Sequence, residues 1–467
     1  MTLSLKHKSL VLLPLICSLC GCTAFFKDYE APHMPAVSSY KDADKFIGSS
    51  IGKDYYRDFA DECLILAIET ALKQNFDMRK AYLSVRKAEE NLEVTKTSRH
   101  PTASSNISMN LRRALEREDG VTRSTSTSLG LSYQVDLFGK IEAQVQSSTA
   151  NFMATAYDYL AMRLTVIETT AKAYWQYVYA KEAVTLGEED VRDSQKRLLL
   201  VEKKFAAGAA DLLDLDNARI NHKKVLATLE QRHNARMKAH TALMTMLGFT
   251  ADRDIAVAAL DSATLPRFSL EVPAKLLTRR PDLMACAERL KKAYAGYNEA
   301  VMNFFPDFTL SAGLGSGESG NTFGRFLTNP IATLGAAITL PFLNFNRLYK
   351  LKAQAQTEIE IVSVDFVKDY VEAVAEVYDA IADVEYYDKA LKIHQETYTL
   401  SVQNYERYQA RYEAGLVSLT DFLNAADTMR ASKISYLNSK MNRLTSTMEL
   451  MSALGGDNDN DLSMFVR

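Results

Sequence analysis

Long stretches of this chain carry apolar residues at helical spacing and few helix-breaking residues. Between residues 160 and 178 the apolar positions step by four and three, at Leu160, Leu164, Ile167, Ala171, Tyr174 and Val178. This heptad spacing is typical of helices that pack side by side in coiled coils. Apart from Gly187, neither Gly nor Pro interrupts residues 140–207 or 347–414, which hold 68 residues each. The pattern predicts two helices, each on the order of 100 Å long at about 1.5 Å per residue.

Two shorter uninterrupted stretches follow the long ones, at 209–247 and 416–454, with 39 residues each. Matching residues recur at an offset of 207 positions: Phe205 and Tyr412, Gly208 and Gly415, Leu212 and Leu419, Asp214 and Asp421, Asn217-Ala218 and Asn424-Ala425, and Leu247-Gly248 and Leu454-Gly455. Equal lengths and a constant offset indicate an internal duplication. Each repeat is therefore expected to end in a long helical hairpin.

A different pattern precedes each long helix, where apolar and polar residues alternate. The alternating runs span 102–113 and 123–137 in the first repeat, and 307–315 and 331–342 in the second. Period-two alternation predicts strands with one apolar and one polar face. The half-buried sheet of a soluble protein has the same period. The small polar residues of the second face, however, suit the water-filled lumen of a membrane β-barrel, whose strands have about 9 to 11 residues.

Four strands are too few to close a barrel within one chain. An open sheet edge is not tolerated in hydrocarbon, because its unpaired backbone groups find no water to bond. We therefore expect each subunit to share its barrel with copies of itself.

The N-terminus has the features of a lipoprotein signal. Lys6 and Lys8 precede an apolar run, and Leu19-Cys20-Gly21-Cys22 follows it. The Cys22 thiol is the predicted lipidation site, although Cys20 stands where such signals usually carry Ala, Ser or Thr. An ordinary secretory signal is the alternative. The expected segments are a signal peptide (1–21), a lipid-anchored extended segment (22–58), repeat one (59–249), a linker (250–273), repeat two (274–455) and a C-terminal tail (456–467).

Composition and charge exclude several classes of function. The 55 Lys and Arg residues nearly balance the 58 Asp and Glu residues, so no basic face for nucleic acid is expected. Only Cys63 and Cys286 remain after Cys22, which excludes a disulfide-stapled scaffold. The Gly-rich run 315–320 matches a dinucleotide-binding pattern but lacks the helix that such a site needs. His233 and His240 lack acidic or Cys partners at metal-ligand spacing. The sequence predicts neither an enzyme, nor a metal site, nor a cofactor.

Taken together, the chain resembles the TolC-type outer membrane efflux family, in its lipoprotein branch. The residues that carry the resemblance are Cys22, the segment Tyr29 to Pro35, Arg280-Pro281-Asp282-Leu283, Phe304-Phe305-Pro306, and the turns that end at Gly208 and Gly415. The resemblance implies a mainly helical homotrimer with one twelve-stranded membrane β-barrel, four strands coming from each subunit. The long coiled-coil-like hairpins would form a periplasmic α-barrel. The implied partners are a periplasmic adaptor protein and an inner-membrane pump.

The resemblance also points to two groups of site residues. It places the docking tips for the adaptor at Phe205, Gly208, Tyr412 and Gly415. Candidate residues for a pore constriction follow these turns, at Asp214, Asp421, Asn424 and Asp427. Threefold symmetry would repeat such carboxylates into a cation-favouring ring. The family often carries Asp where Asn424 stands, so Asp421 is the preferred candidate. Alternatively, these acids only favour helix starts through the helix dipole.

The function that these features indicate is passive conduction, in which a tripartite efflux system moves substrates from the pump and the adaptor to the exterior. One alternative is a type I secretion duct for polypeptides, which has the same architecture. Another is a lipid-anchored coiled-coil scaffold without a pore. The expected location is the outer membrane, with the helices extending into the periplasm.

Overall fold

A computed structural model of the chain describes residues 27–35, 51–52, 54–113, 121–269, 276–315, 330–456, 462 and 465. The predicted signal segment, Cys22 and residues 316–320 of the Gly-rich run lie outside these residues. The eight α-helices of the described residues are α1 (Glu62–Gln74), α2 (Phe76–Thr97), α3 (Lys140–Ala206), α4 (Leu212–Met246), α5 (Leu276–Arg279), α6 (Pro281–Met302), α7 (Phe345–Glu413) and α8 (Leu419–Ala453). The strands are β1 (Thr102–Arg112), β2 (Thr122–Val135), β3 (Asp307–Gly315) and β4 (Ile331–Thr339).

The described residues divide into two compact units. The sheet unit takes its residues from 27–33, 84–156 and 285–368. The helical unit takes its residues from 34–83, 157–284 and 369–467. No described helix combines the length and the apolar content that crossing a bilayer requires.

The sheet unit contains one antiparallel sheet in the order β1-β2-β3-β4. Ser104 pairs with Gly130, Leu131 pairs with Ala312, and Leu310 pairs with Ala336. Because side chains alternate across a strand, this register brings the apolar residues of all four strands to one face. Strand β4 ends at Thr339, earlier than the predicted 342. Pro341 cannot donate a backbone hydrogen bond, and it opens the 3-10 turn Pro341–Asn344 instead.

The helical unit buries five of the six heptad positions that the sequence predicted to form a seam, and Leu160 is half-buried. Ile167, Ala171 and Tyr174 have no exposed surface. The hydroxyl of Tyr174 donates to Asp61 Oδ2 at 3.0 Å, and the carboxylate of Asp61 also accepts from the first backbone N–H groups of α1. The long helix α3 is therefore tied to a helix start that lies more than 100 residues earlier in the chain. Neither Cys63 nor Cys286 forms a disulfide in the part of the chain that the structure describes.

The second helix of each hairpin begins later than the expected residues 209 and 416. Helix α4 begins at Leu212 and α8 begins at Leu419, because Asp211 and Ser418 are their N-caps. The intervening residues belong to the turn. The mainly helical class with four strands is confirmed.

Candidate functional site

Two regions carry the features of a channel, and the first is the sheet. Its apolar face is exposed, which is unusual for side chains of this size. Leu334 is 90% exposed, Met109 is 70% exposed and Ile107 is 68% exposed. The outer edges of β1 and β4 have no partner strand among the described residues. Such a sheet needs both an apolar medium for its face and further strands for its edges.

The opposite face of the sheet carries small polar side chains. Its members in the paired rows are Thr, Ser, Asn, Gly and Ala, from residues 102–110, 126–132, 309–315 and 333–339, with Ile331 at the start of β4 as the exception. Ser108 and Ser126 share a hydrogen bond of 2.7 Å, and Thr102 Oγ1 donates to the carbonyl of Ser132 at 3.2 Å. The hydroxyls thus bond along the sheet. This face offers water many weak polar groups and no fixed charge within these rows.

One charged cluster lies where the polar face begins. Lys140 Nζ lies 3.2 Å from Asp307 Oδ2, and Gln134 Nε2 donates to Asp307 Oδ1 at 3.0 Å. Lys140 is the first residue of α3 and Asp307 is the first residue of β3. The ion pair therefore links the start of α3 to the start of β3, and the charges of Lys140 and Asp307 cancel.

The second region is formed by the two hairpin turns. Gly208 and Gly415 both have φ of 72°, and a Cβ at either residue would meet no atom within 4 Å. Only the left-handed backbone conformation therefore requires glycine there. Ala209 N donates to Lys204 O at 2.8 Å, and Leu416 N donates to Arg411 O at the same distance. The duplicated sequence folds into duplicated helix ends.

The acidic residues just after the turns have a clear local role. Asp214 N donates to the Asp211 carboxylate at 2.7 Å, and the Asp214 carboxylate accepts from Asp211 N at 3.5 Å. In the second hairpin Asp421 forms the same capping box with Ser418, at 3.1 and 3.2 Å. Asp214 and Asp421 are thus equivalent third residues of their helices. Both remain exposed to solvent.

Apolar side chains surround the same turns. Phe205 is 41% exposed and Tyr412 is 38% exposed. Leu212, Leu213 and Leu416 are more exposed still, at 59, 67 and 74%. Exposed apolar residues beside polar ones are typical of surfaces that bind another protein.

Asn424 and Asp427 differ from the capping acids, because they contact a neighbouring helix. Arg197 on α3 bonds to Asp427, and it donates to Asn424 Oδ1 at 3.3 Å and to the carbonyl of Leu423 at 3.1 Å. The structure therefore separates the four predicted constriction residues into two exposed caps and two residues of a contact between helices.

That contact contains a buried arginine that the sequence did not single out. Arg430 on α8 is 4% exposed and bonds to Asp190 and to Asp193, the latter at 2.7 Å. Asp427 accepts from the same guanidinium at 2.8 Å. Arg232 on α4 joins the network through Asp190 at 3.2 Å. The set Asp190, Asp193, Arg197, Arg232, Asp427 and Arg430 is called the charged joint below.

The charged joint holds its arginine in the ionised form. Burial acts to lower the pKa of Arg430, but the hydrogen bond and charge of Asp190, with the charges of Asp193 and Asp427, outweigh burial and raise it. The only sequence signal for this site was the spacing of its charged residues. Asp190, Asp193 and Arg197 share one face of α3, and Asp427 and Arg430 lie three residues apart on α8. Spacing on one helix does not reveal a partner on a distant one.

The described residues contain no group of three or more His, Cys, Asp or Glu that could hold a metal ion. His222 Nδ1 lies 2.9 Å from the hydroxyl of Ser194, within the first hairpin. The ring of His240 lies 5.2 Å from that of Tyr177. These histidines therefore contact neighbouring helical side chains.

Comparison with known proteins relates this arrangement to a family. The family model described as "Outer membrane efflux protein" matches twice, over residues 67–249 and 272–456. The pyoverdine export outer membrane protein OpmQ of Pseudomonas aeruginosa is 26% identical over the whole of both chains. The cation efflux system protein CusC of Escherichia coli K12 is 26% identical over 94% of this chain and 97% of its own.

Solved structures show the same fold. The open state of the MtrE channel of Neisseria gonorrhoeae has a TM-score of 0.80 at 23% identity, covering 94% of this chain and 99% of that one. The CmeC channel of Campylobacter jejuni has a TM-score of 0.82 at 22% identity, covering 94% and 97%. These likenesses confirm the expected combination of long helices and a β-barrel domain.

The predictions of family, location, function and partners are confirmed. The open sheet edges agree with a barrel shared among subunits. The chain therefore belongs to the outer membrane efflux protein family, and it is a subunit of a homotrimeric outer-membrane channel that works with a periplasmic adaptor and an inner-membrane pump.

Proposed function

We propose that this subunit conducts small solutes passively and performs no catalysis. The observation that carries the proposal is the polar face of the sheet, whose central rows carry no charged side chain and which would line the barrel lumen. A wall of hydroxyls and glycines gives water-borne solutes a path without a strongly binding group. The energy and the choice of substrate would then come from the pump.

The range of substrates among the relatives agrees with an unselective duct. Their names assign pyoverdine export to OpmQ, cation efflux to CusC and antibiotic efflux to ArpC of Pseudomonas putida. These cargoes differ in size and charge, yet each relative covers at least 94% of this chain. We infer that the exported solute is not encoded in the barrel wall.

We also propose that an acyl chain on Cys22 anchors the subunit in the outer membrane. SilC, which is 24% identical over 94% of this chain, is named a probable outer membrane lipoprotein. Five residues after Cys22, Lys27 N donates to Asn298 Oδ1 at 3.0 Å, and Asn298 Nδ2 donates back to Lys27 O at 3.2 Å. Five extended residues reach about 17 Å at most. The acyl chain would therefore stay near the end of α6, a few residues before β3.

We propose that the segments on either side of this anchor are those that the sequence predicts. We propose that 1–21 is removed, that 22–58 is the anchored extended segment, that 59–249 and 274–455 are the two repeats joined by the linker 250–273, and that 456–467 is a tail. The two matches to the family model support a division into two repeats.

The hairpin turns are proposed as the docking site for the adaptor. Phe205 and Tyr412 would supply exposed aromatic contacts, while Gly208 and Gly415 would set the turn that presents them. Because the turns have the same backbone geometry, a trimer would offer six similar tips to one adaptor surface.

A cation-favouring constriction is proposed at Asp214 and Asp421. Both carboxylates are exposed at helix starts, so three copies would supply six of them near the tips. Asn424 and Asp427 would contribute less, because Arg197 already bonds to both. The alternative is that Asp214 and Asp421 only stabilise the starts of their own helices, where each accepts a backbone hydrogen bond.

Planar-bilayer recording on the purified trimer tests this function. We expect a stable aqueous conductance in wild-type protein and a weaker preference for cations in the Asp214→Asn and Asp421→Asn double variant, since the Asn Oδ1 can still accept the backbone N–H of the N-cap residue. Asp77→Asn, which changes an exposed acid in the first turn of α2, is the matched control. A trimer without conductance would contradict the channel and favour the scaffold. An unchanged ion preference would remove both acids from the constriction.

One relative supports a second candidate function. The toxin and drug export protein A of Aggregatibacter actinomycetemcomitans is 24% identical over 94% of this chain. A polypeptide duct has the same architectural needs as a duct for small solutes. A neighbouring gene for an ATP-driven exporter, in place of a proton-driven pump, would favour polypeptide export.

A further inference from the structure

Two lysines from distant parts of the chain approach one buried tyrosine of the sheet unit. Tyr297 on α6 is 5% exposed. Lys27 Nζ lies 5.1 Å from the centre of its ring, and Lys352 Nζ on α7 lies 5.7 Å from the same centre. Lys27 Nζ also bonds to Gln356 Oε1, one turn after Lys352 on the same side of α7. Lys27, Tyr297 and Lys352 are called the lysine site below.

The two ammonium groups of the lysine site have no carboxylate to balance them. Among the described residues, neither Lys27 nor Lys352 forms an ion pair, and their like charges repel each other. The nearby Glu288 is already paired with Lys291 at 2.6 Å, and Glu142 is paired with Arg99. Such a site gains stability from an anion that lies between its two cations.

The site lies close to the level at which the helices give way to the strands. Asn298 holds the backbone of Lys27, and it lies four residues, or about 6 Å, before the end of α6. Lys352 lies seven residues, or about 10 Å, after the start of α7. Each headgroup layer of a bilayer is about 5 to 8 Å thick. If the strands cross the hydrocarbon, the lysine site lies at headgroup depth.

Exposed aromatic side chains mark the same level independently. Phe342, Phe345 and Tyr349 lie between the end of β4 and Lys352, and they are 45, 63 and 67% exposed. Exposed aromatic rings are enriched where a membrane protein passes from hydrocarbon to headgroups. The level of the bilayer surface therefore has two separate indications.

The lysine site belongs to the outer surface of the channel and not to its lumen. The proposed acyl chain on Cys22 must lie in lipid, and five residues allow Lys27 to be at most about 17 Å from Cys22. The acyl anchor itself carries no phosphate. It therefore brings lipid to the site without supplying the missing anion.

We propose that the lysine site binds the phosphate of an anionic phospholipid from the periplasmic leaflet of the outer membrane. The inference rests on the outer-membrane location and on the proposed anchor at Cys22. Asp28 is exposed and forms no ion pair among the described residues, so Lys27, Lys352 and Asp28 together leave one positive charge. One phosphate cancels that charge. A headgroup with its own ammonium would restore it, so the expected lipid is of the phosphatidylglycerol type.

A cavity beside Lys27 has room for the rest of such a headgroup. Its volume is about 380 Å³, and Asp28, Glu142 and Tyr29 contribute to its wall. The carboxylates there can accept hydrogen bonds from the hydroxyls of a glycerol headgroup. The ring of Tyr29 lies 5.8 Å from that of Tyr294, edge to face, so the N-terminal segment forms part of the wall. A bound lipid would therefore hold this segment against α6 and α7.

Native mass spectrometry of the delipidated wild-type trimer tests the proposal. The trimer is titrated with phosphatidylglycerol and, separately, with phosphatidylcholine, and the bound lipids are counted. Phosphatidylglycerol should bind more tightly. Lys27→Gln combined with Lys352→Gln should weaken its binding by roughly 10- to 30-fold, since each lysine near a membrane surface contributes several-fold. Lys27→Arg combined with Lys352→Arg keeps both charges and should retain the lipid.

The matched control removes the same charge from neighbouring positions. Lys292→Gln combined with Lys350→Gln changes one lysine on α6 and one on α7, outside the lysine site, and should bind phosphatidylglycerol like wild type. A further titration uses inorganic phosphate as the competitor. Displacement of the lipid by a comparable concentration of inorganic phosphate would show a site for a free anion and would overturn the lipid assignment.

The remaining outcomes separate the lysine site from the channel and from the anchor. Equal binding of the two lipids by wild type, or an equal loss in the control variant, overturns the site alone. If the glutamine variant loses its trimeric mass, the comparison of the two lipids on wild type decides the proposal. A trimer that prefers phosphatidylglycerol but does not conduct contradicts the proposed function. A chain mass without an acyl group contradicts the anchor.

Discussion

The first hairpin consists of α3 and α4, and the second consists of α7 and α8. Their turns have the same geometry, but the side-chain contacts along their helices differ. Both turns have a glycine at φ 72°, and both second helices begin with a capping box. In the first hairpin, α3 carries Asp190, Asp193 and Arg197 of the charged joint. In the second, Phe422 stacks on Tyr405 and on Tyr412, each at 5.4 Å between ring centres. The equivalent of Phe422 in the first hairpin is Leu215.

This comparison shows what a duplication preserves. The backbone geometry of a turn depends on a few adjacent residues, so both copies kept it. The side contacts depend on the neighbour that each helix meets, so they were free to diverge. Helices α3 and α8 acquired charged partners in each other, and the second hairpin also acquired a stack of aromatic rings that the first hairpin lacks.

The largest expected effect comes from removing the buried arginine. Arg430→Ala leaves three carboxylates without their shared partner, and we expect the free energy of unfolding to fall by about 3 to 5 kcal/mol. Chemical denaturation gives the loss, and amide hydrogen exchange of α3 and α8 gives its location. The repeat equivalent is the control, since Lys223→Ala on an exposed face should cost less than about 1 kcal/mol. Similar losses in both variants would mean that the contacts of Arg430 with Asp190, Asp193 and Asp427 add nothing to stability.

The next effect tests the equivalence of the two turns. Gly208→Ala and Gly415→Ala each force a Cβ into the left-handed region, which should cost about 1 to 2 kcal/mol. Thermal unfolding monitored by circular dichroism measures both variants. Gly296→Ala is the control, because this helical glycine has space for a Cβ and the change should stabilise by roughly 0.5 to 1 kcal/mol. Unequal losses at the two turns would show that their surroundings matter more than their backbone.

A smaller effect is expected from the aromatic stack of the second hairpin. Phe422→Leu makes the second hairpin resemble the first and should cost about 0.5 to 1.5 kcal/mol through the lost ring contacts. Phe422→Tyr keeps the ring and should remain close to wild type. Hydrogen exchange near Tyr412 reports the effect. Unchanged exchange in the leucine variant would mean that the stack does not order the turn.

The smallest effect concerns pH and a contact that only the second hairpin makes. Lys440 and Tyr436 of α8 bond to Asp261 at 3.0 and 2.9 Å, whereas their equivalents in the first hairpin are His233 and Leu229. Burial acts to raise the pKa of Asp261, but the hydrogen bonds from Lys440 and Tyr436 outweigh it and lower the pKa. The contact therefore stabilises the fold above the unfolded pKa of about 3.9 and is lost as the pH falls through the lower folded value.

The expected size is small because Asp261 is largely exposed. Asp261→Asn should cost about 0.2 to 1 kcal/mol at neutral pH, and the difference from wild type should shrink as the pH falls below about 4. Denaturation curves across this pH range measure it. A difference that grows on acidification would contradict the assigned sign.

Much of the architecture was predictable because its causes are local. The period of the apolar residues predicted both the long helices and the two-faced strands, and the constant offset predicted equivalent hairpins. The first residue of α4 was harder to predict from the sequence, because it depends on whether Asp211 is the N-cap or part of the helix. Of the constriction candidates, Asp214 and Asp421 kept the local role of helix caps that the sequence left open as an alternative.

The sequence by itself determined the helices, the turns at Gly208 and Gly415, and the two faces of the sheet, because residues within a few positions of one another settle these features. Only the tertiary structure decided that Arg430 meets Asp190 and Asp193. That pairing depends on how two helices from different repeats are rotated and packed, and neither helix encodes its neighbour. The same packing decided that Asn424 and Asp427 contact Arg197, while Asp421 stays exposed.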